Sequence, residues 1–250
     1  MIFLQEKCTR KDMTTRISIF VEGQTERIFV EKLLDEYLSP TKFTRESRIL
    51  HGDKAISFYV RAIEADAPLY VLICDVMGDG TLTSAILERG GNMLRKEGYS
   101  FLLGLRDLYN IPRADKDRNY KFTEELIKKK GFDEKIKIVF AIMETEAWFL
   151  ADHSLFKKID KLLTPEYIKE RLGKDLINYD PELYPKPANI IDDIYRLVGR
   201  RYKKKEDDSY QIAYRINYTF LCVDTPEMKK IASFHYFLKQ LNKAFALAGL

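Results

Sequence analysis

The sequence is poor in several things at once. It has three cysteines, Cys8, Cys74 and Cys222, far apart and none in a CxxC pair. An odd, scattered set argues against a disulfide scaffold and points to a reducing, cytoplasmic setting. The three histidines, His51, His153 and His235, are equally dispersed and lack metal-ligand spacing. No run reaches the roughly 18–20 apolar residues of a membrane span. The best candidate, Ile136 to Leu150, is broken by Lys137, Glu144 and Glu146. The opening MIFLQEKCTRKD is too polar for a signal peptide. No membrane partner is therefore expected. There is no GxxxxGK[ST] loop, and Gly78-x-Gly80 lacks the third glycine of a dinucleotide loop. A self-contained ATPase or dehydrogenase is not expected. Without GxSxG, or a serine or cysteine with a local partner, triad chemistry has no support.

What remains is a globular chain. Of 250 residues, 46% are hydrophobic and 32% charged, enough for a sizeable core that needs no staple. The net charge of +4 is small, so the distribution of charge says more than its sum. Cations bunch at Lys128–Lys130, at Lys157-Lys158 and, most densely, at Arg200-Arg201-Tyr202-Lys203-Lys204-Lys205.

Four apolar, β-branched stretches read as buried strands: Arg16–Val21, Leu69–Cys74, Ser100–Leu105 and Ile136–Met143. A short strand is expected around Arg48–Leu50. Helical spacing marks Thr25–Leu38, Lys54–Glu64, Leu82–Lys96 and Phe122–Lys130, with Gly98 and Gly131 following two of the ends. Alternating strands and helices predict an α/β fold with a mainly parallel sheet flanked by helices over residues 14–152. Residues 153–250 show helical spacing at Ile190–Leu197 and Phe234–Leu247 and no clear strand. They predict a helical C-terminal portion packed on that core.

Each confident strand ends in a carboxylate: Glu22, Asp75, Asp107 and Glu144. Ligands of open parallel sheets bind beyond the carboxyl ends of the strands. Acids gathered there repel unless a hard divalent cation, Mg²⁺ or Mn²⁺, lies among them. Asp also favours turns and helix starts, which accounts for any one of these acids without a site; four together favour a site. Glu26 sits one helical turn after Glu22, on the same side if the helix starts promptly.

The segment Val21-Glu22-Gly23-Gln24-Thr25-Glu26, a strand, a tight turn and a helix start, resembles the TOPRIM-like nucleases. These include the OLD family and small defence-associated TOPRIM proteins. In them the glutamate lies in the active site, and the resemblance gives Glu22 that role. They also carry a metal-holding Asp-x-Asp pair. Here Arg106-Asp107-Leu108-Tyr109 has tyrosine at the second position, and in Asp75-Val76-Met77-Gly78-Asp79 the acids are four apart. The segment Glu144-Thr145-Glu146-Ala147-Trp148-Phe149-Leu150-Ala151-Asp152 resembles the signature of one TOPRIM-like family. Fragments at Asp180-Pro181-Glu182, Pro185-Lys186, Tyr202-Lys203-Lys204 and Ser233-Phe234 agree with it. On this resemblance the sheet is TOPRIM-like and the activity is Mg²⁺-dependent cleavage of nucleic acid. The implied setting is antiviral defence, beside an ATPase partner or in a homo-oligomer.

The expected catalytic residues are Glu22, Asp75 and Asp107. The expected metal ligands are these three with Asp79, Glu144 and Glu146; the competing reading makes Glu146 a helix cap and Trp148 core. The run Arg200, Arg201, Tyr202, Lys203, Lys204 and Lys205 would grip phosphates, with Tyr202 free to stack on a base. Glu206-Asp207-Asp208 follow at once, as at a solvated helix end. Tyr109 in the aspartate position also favours a second reading, a catalytically inactive TOPRIM-like binding or regulatory subunit.

Overall fold

The computed structural model describes residues 14–51, 54–61, 64, 66–78, 80–109, 115–223 and 230–250. The first part of the chain runs β1 (Thr15–Val21), α1 (Gln24–Tyr37), β2 (Thr44–His51), β3 (Lys54–Arg61) and β4 (Leu69–Asp75). It continues with α2 (Leu82–Arg95), β5 (Tyr99–Asp107), α3 (Lys116–Lys129) and β6 (Ile136–Ala141). Helices follow: α4 (Glu146–Ala151), α5 (Leu155–Ile159), α6 (Pro165–Leu172), a 3-10 turn at Pro181–Leu183 and α7 (Pro187–Arg196). The last are α8 (Glu206–Ala213), α9 (Tyr218–Cys222) and α10 (Ala232–Ala246).

The six strands lie in the order β3-β2-β4-β1-β5-β6. Five are parallel, and β3 returns antiparallel to β2 at one edge. The fold is thus α/β with a mainly parallel sheet and a helical C-terminal part, as the alternating pattern predicts. One element differs. Lys54–Arg61 is a strand, not a helix. Its Ile56, Phe58 and Val60 alternate with Ser57, Tyr59 and Arg61, a period of two that suits pairing with β2 better than a helix. β2 is correspondingly longer than the three residues expected.

The strands β1, β4, β5 and β6 are largely apolar because both faces of the sheet are covered there. In β1, Ile17, Ile19 and Val21 point into one hydrophobic layer and Phe20 into the other. In β4, Val71 and Ile73 join the first layer, Leu72 and Cys74 the second. The first layer holds Phe29 and Leu33 of α1, Trp148 of α4, Ile191 of α7 and Phe234 and Phe237 of α10. The second holds Leu82, Ile86 and Met93 of α2 and Ile127 of α3. Trp148 is fully buried, 5.2 Å from the Phe234 ring, with its indole N–H donated to Ser233 Oγ at 2.9 Å. It is a core residue, and it anchors α10 to the start of the C-terminal part.

α2 lies close on the sheet because two glycines permit it. A Cβ on Gly104 of β5 would stand 2.7 Å from Leu82 Cδ2, and one on Gly90 of α2 would stand 2.9 Å from Ile136 Cδ1. No helix among the described residues is long and apolar enough to cross a membrane.

The sheet order sets β1 between β4 and β5, with β6 beyond β5. Because these four are parallel, Glu22, Asp75, Asp107 and Glu144 all emerge at one edge.

Candidate metal centre at the carboxyl edge of the sheet

Three carboxylates from three separate segments converge here. One oxygen each from Glu26, Asp107 and Glu146 lies within 4.8 Å of the others. Glu26 occupies the first turn of α1, where the exposed N–H groups of the helix favour a negative charge. Its side chain folds back towards the helix start: a Cβ on Gly23 would stand 3.3 Å from Glu26 Oε2. Asp107 closes β5, and its Oδ1 accepts the N–H and the hydroxyl of Thr145, both at 3.0 Å. This draws the start of α4 towards the end of β5 and places Glu146 beside Asp107. Met143, at the bend between β6 and α4, takes a left-handed φ of 66° that few side chains tolerate.

The site is dry. Glu26 is 6% exposed and Glu146 is 0% exposed. Burial pushes the Glu26 carboxyl up to about 7, with the charge of Glu146 the next cause. Burial, then Glu26 and Glu146, hold Asp107 well above the usual carboxylate range. Glu146 is also raised by burial, against the pull of Lys204. Three carboxyls packed this closely in a largely buried site resist ionising together.

Lys204 supplies a cation. Its ammonium lies 3.0 Å from Glu146 Oε1 and 3.1 Å from Glu144 Oε1, and these acids hold its pKa above the ordinary lysine value despite burial. Tyr202 donates its hydroxyl to Glu146 Oε1 at 2.9 Å. Among the described residues, Glu146 Oε2 is buried without a hydrogen-bond partner. Glu144 Oε2 accepts the N–H of Ala188 at the start of α7 at 3.0 Å.

The predicted residues fall into separate roles. Glu22 reaches the edge but spends its oxygens on the scaffold: Oε1 accepts Gly80 N–H at 3.0 Å and Oε2 accepts Asp107 N–H at 3.1 Å. Arg106 Nε lies 3.3 Å from Oε1 as well. Asp75 does not join the trio. Its Oδ2 pairs with Arg27 Nε at 3.5 Å, its Oδ1 accepts Met77 N–H, and Arg27 also pairs with Glu31 at 3.2 Å. Asp79 lies outside the described residues. Glu144 stands next to the trio and Glu146 within it.

Within the basic run, Tyr202 is 4% exposed, so its ring cannot stack on a base as expected. Arg201 pairs with Asp192 at 2.9 Å, and Lys204 faces the acids. Arg200, Lys203 and Lys205 are exposed. The residue absent from the predicted ligand set is Glu26. Its signal was the four-residue step from Glu22; the burial that makes it distinctive comes from packing.

The donor set suits a hard divalent cation: three carboxylates, one with an oxygen lacking any partner. Glu26, Asp107, Glu144 and Glu146 set four carboxyls against the single ammonium of Lys204. Fully ionised, they would leave three negative charges in a largely buried cluster.

The chain belongs to the family described as "Domain of unknown function (DUF4276)", which matches residues 21–241. No curated protein and no solved structure matches it.

Proposed function

We propose that the protein is a divalent-cation-dependent nuclease, Mg²⁺ or Mn²⁺ being the cation and nucleic acid the substrate. The observation that carries this reading is the convergence of Glu26, Asp107 and Glu146, with Glu146 Oε2 buried and unpartnered. When bound, a divalent cation supplies charge neutralisation for a phosphoryl group and acidifies water. The chain's own residues do the rest. Glu26, Asp107 and Glu146 hold the cation. Thr145 fixes Asp107, and Tyr202 fixes Glu146. Glu22 ties the Gly80 loop to the end of β5. Exposed Arg200, Lys203 and Lys205 stand on the segment that flanks the site, where they would neutralise the phosphate backbone. On the family resemblance, the setting is defence against foreign nucleic acid, with an ATPase partner.

The test is cleavage of single- and double-stranded DNA and RNA with Mg²⁺ or Mn²⁺. Glu26→Gln and Glu146→Gln should each lose at least the roughly 10–100-fold that outer-shell substitutions already cost a metal site. Cleavage equal to wild type in both variants would sink the assignment.

A second reading has its own observation. Lys204 already places an ammonium against Glu144 and Glu146. If that pairing is permanent, the protein is a catalytically inactive binding or regulatory subunit. It would then bind nucleic acid without cutting it and take up no divalent cation.

A further inference from the structure

Lys204 stands in an unusual position for a lysine on a solvated loop. Its backbone is left-handed, with φ at 54°, a conformation that residues with a Cβ seldom adopt. Its side chain is still 39% exposed, so water remains open to it, yet its ammonium turns inward to two acids that are 8% and 0% exposed. The segment around it is tied to neighbouring helices by its backbone. Tyr202 N–H is donated to Asp192 at 2.9 Å, and Lys203 N–H and Lys205 N–H to Asp208 at 2.8 and 3.3 Å. Lys204 itself is held through its side chain. Beside it, Glu146 keeps one buried oxygen without a partner.

We infer that Lys204 is a displaceable internal cation: it neutralises the acidic site when no divalent ion is bound and swings out to solvent when one enters. This rests on the reading of Glu26, Asp107 and Glu146 as metal ligands and adds the regulation of that site. A singly charged ammonium balances one of the four surrounding carboxyls; a divalent ion balances two. Both cations draw on Glu146, so they compete. Once released, the Lys204 ammonium joins exposed Lys203 and Lys205, and the segment gains a third cation for a phosphate backbone. Divalent-ion binding and nucleic-acid binding are thereby coupled, and the coupling is reciprocal by thermodynamic necessity.

Two measurements on the intact chain test this. The first is pulse acylation of lysines read by mass spectrometry, with and without Mn²⁺, using Lys203 and Lys205 of the same protein as internal references. An amine freed from two acids acylates faster, so labelling of Lys204 relative to its neighbours should rise on Mn²⁺ addition. The second is calorimetric Mn²⁺ titration of wild type, Lys204→Met and Lys204→Gln. With the competitor removed, both variants should bind at least about fivefold tighter, the lower end of the roughly 5–150-fold range typical of coupled sites.

Mn²⁺ binding to wild type with no change in Lys204 labelling overturns the displacement and leaves the metal reading intact. Binding to the variants alone shows the lysine to be permanent, which also overturns it and supports the inactive-subunit reading. Binding to none of the three defeats the metal site itself, and the inference with it. The labelling arm needs no substitution, so a variant that fails to fold does not spare the proposal.

Discussion

Glu22 binds the backbone of Asp107: its Oε2 accepts the Asp107 N–H at 3.1 Å, while its Oε1 accepts Gly80 N–H at 3.0 Å. The first acid of the chain therefore acts as a clamp between two strand-end loops, and the acid it positions is the one that joins the trio. Glu22→Ala removes the acceptor and leaves the Asp107 amide unpaired, at a cost of about 1–3 kcal/mol for a buried donor. Glu22→Gln keeps one carbonyl oxygen and should lose less. Urea denaturation of the two variants orders them; equal midpoints would deny the clamp.

Glu26 gives the protein a pH signature. Its carboxyl is pushed from 4.5 up to about 7, mainly by burial. The folded state therefore holds a proton that the unfolded state releases. Its contribution to stability is full below the unfolded value, near 4.5, and is lost as pH rises towards about 7. Asp107 and Glu146 shift in the same direction. The cation-free protein should lose thermal stability from pH 4.5 to 7 more steeply than Glu26→Gln does. Parallel slopes for the two would contradict the burial argument.

Lys204→Met should destabilise the cation-free protein near neutral pH, because Glu144 and Glu146 lose their ammonium. Breaking a fully buried ion pair costs about 3–5 kcal/mol. Lys204 is 39% exposed, so screening reduces the expected loss to about 1–3 kcal/mol. Saturating Mn²⁺ should return most of it, seen as a larger shift in Tm for the variant than for wild type.

Gly104→Ala tests the seat of α2. The new Cβ would stand 2.7 Å from Leu82 Cδ2 and 3.1 Å from Ile138 Cγ1, so the buried Leu82 side chain or the helix that carries it must shift. Overpacking of this kind costs roughly 1–3 kcal/mol. A denaturation midpoint equal to wild type would mean that α2 is seated less closely than described.

Much of the fold was legible because the parallel strands are continuous apolar runs bounded by turns. β1, β4, β5 and β6 announce themselves this way, and the acids that close them mark the functional edge. β3 was misread because Ile56, Tyr59, Val60 and Ile63 also satisfy a helical spacing in the same stretch, and pairing with β2 decides between the two. The site was legible as an edge, not as a ligand set. Asp75 looks like Asp107 in sequence, each the first acid after an apolar run. What separates them is Arg27, a residue of α1 that packs against Asp75 and pairs also with Glu31 and with Glu206 of α8, far away in sequence. Tyr202 and Lys204 read as a solvent-facing basic run because their true partners, Glu144 and Glu146, lie some sixty positions earlier.

The central claim is that Glu26, Asp107 and Glu146 hold one divalent cation. Calorimetric titration of the cation-free protein with Mn²⁺ at neutral pH, for wild type and Glu146→Gln, tests it most directly. Wild type should take up one ion per chain, and the variant should bind it at least about tenfold more weakly, the scale of losing a supporting partner at a metal site. Equal affinity in the two proteins, or no heat from either, would contradict the claim.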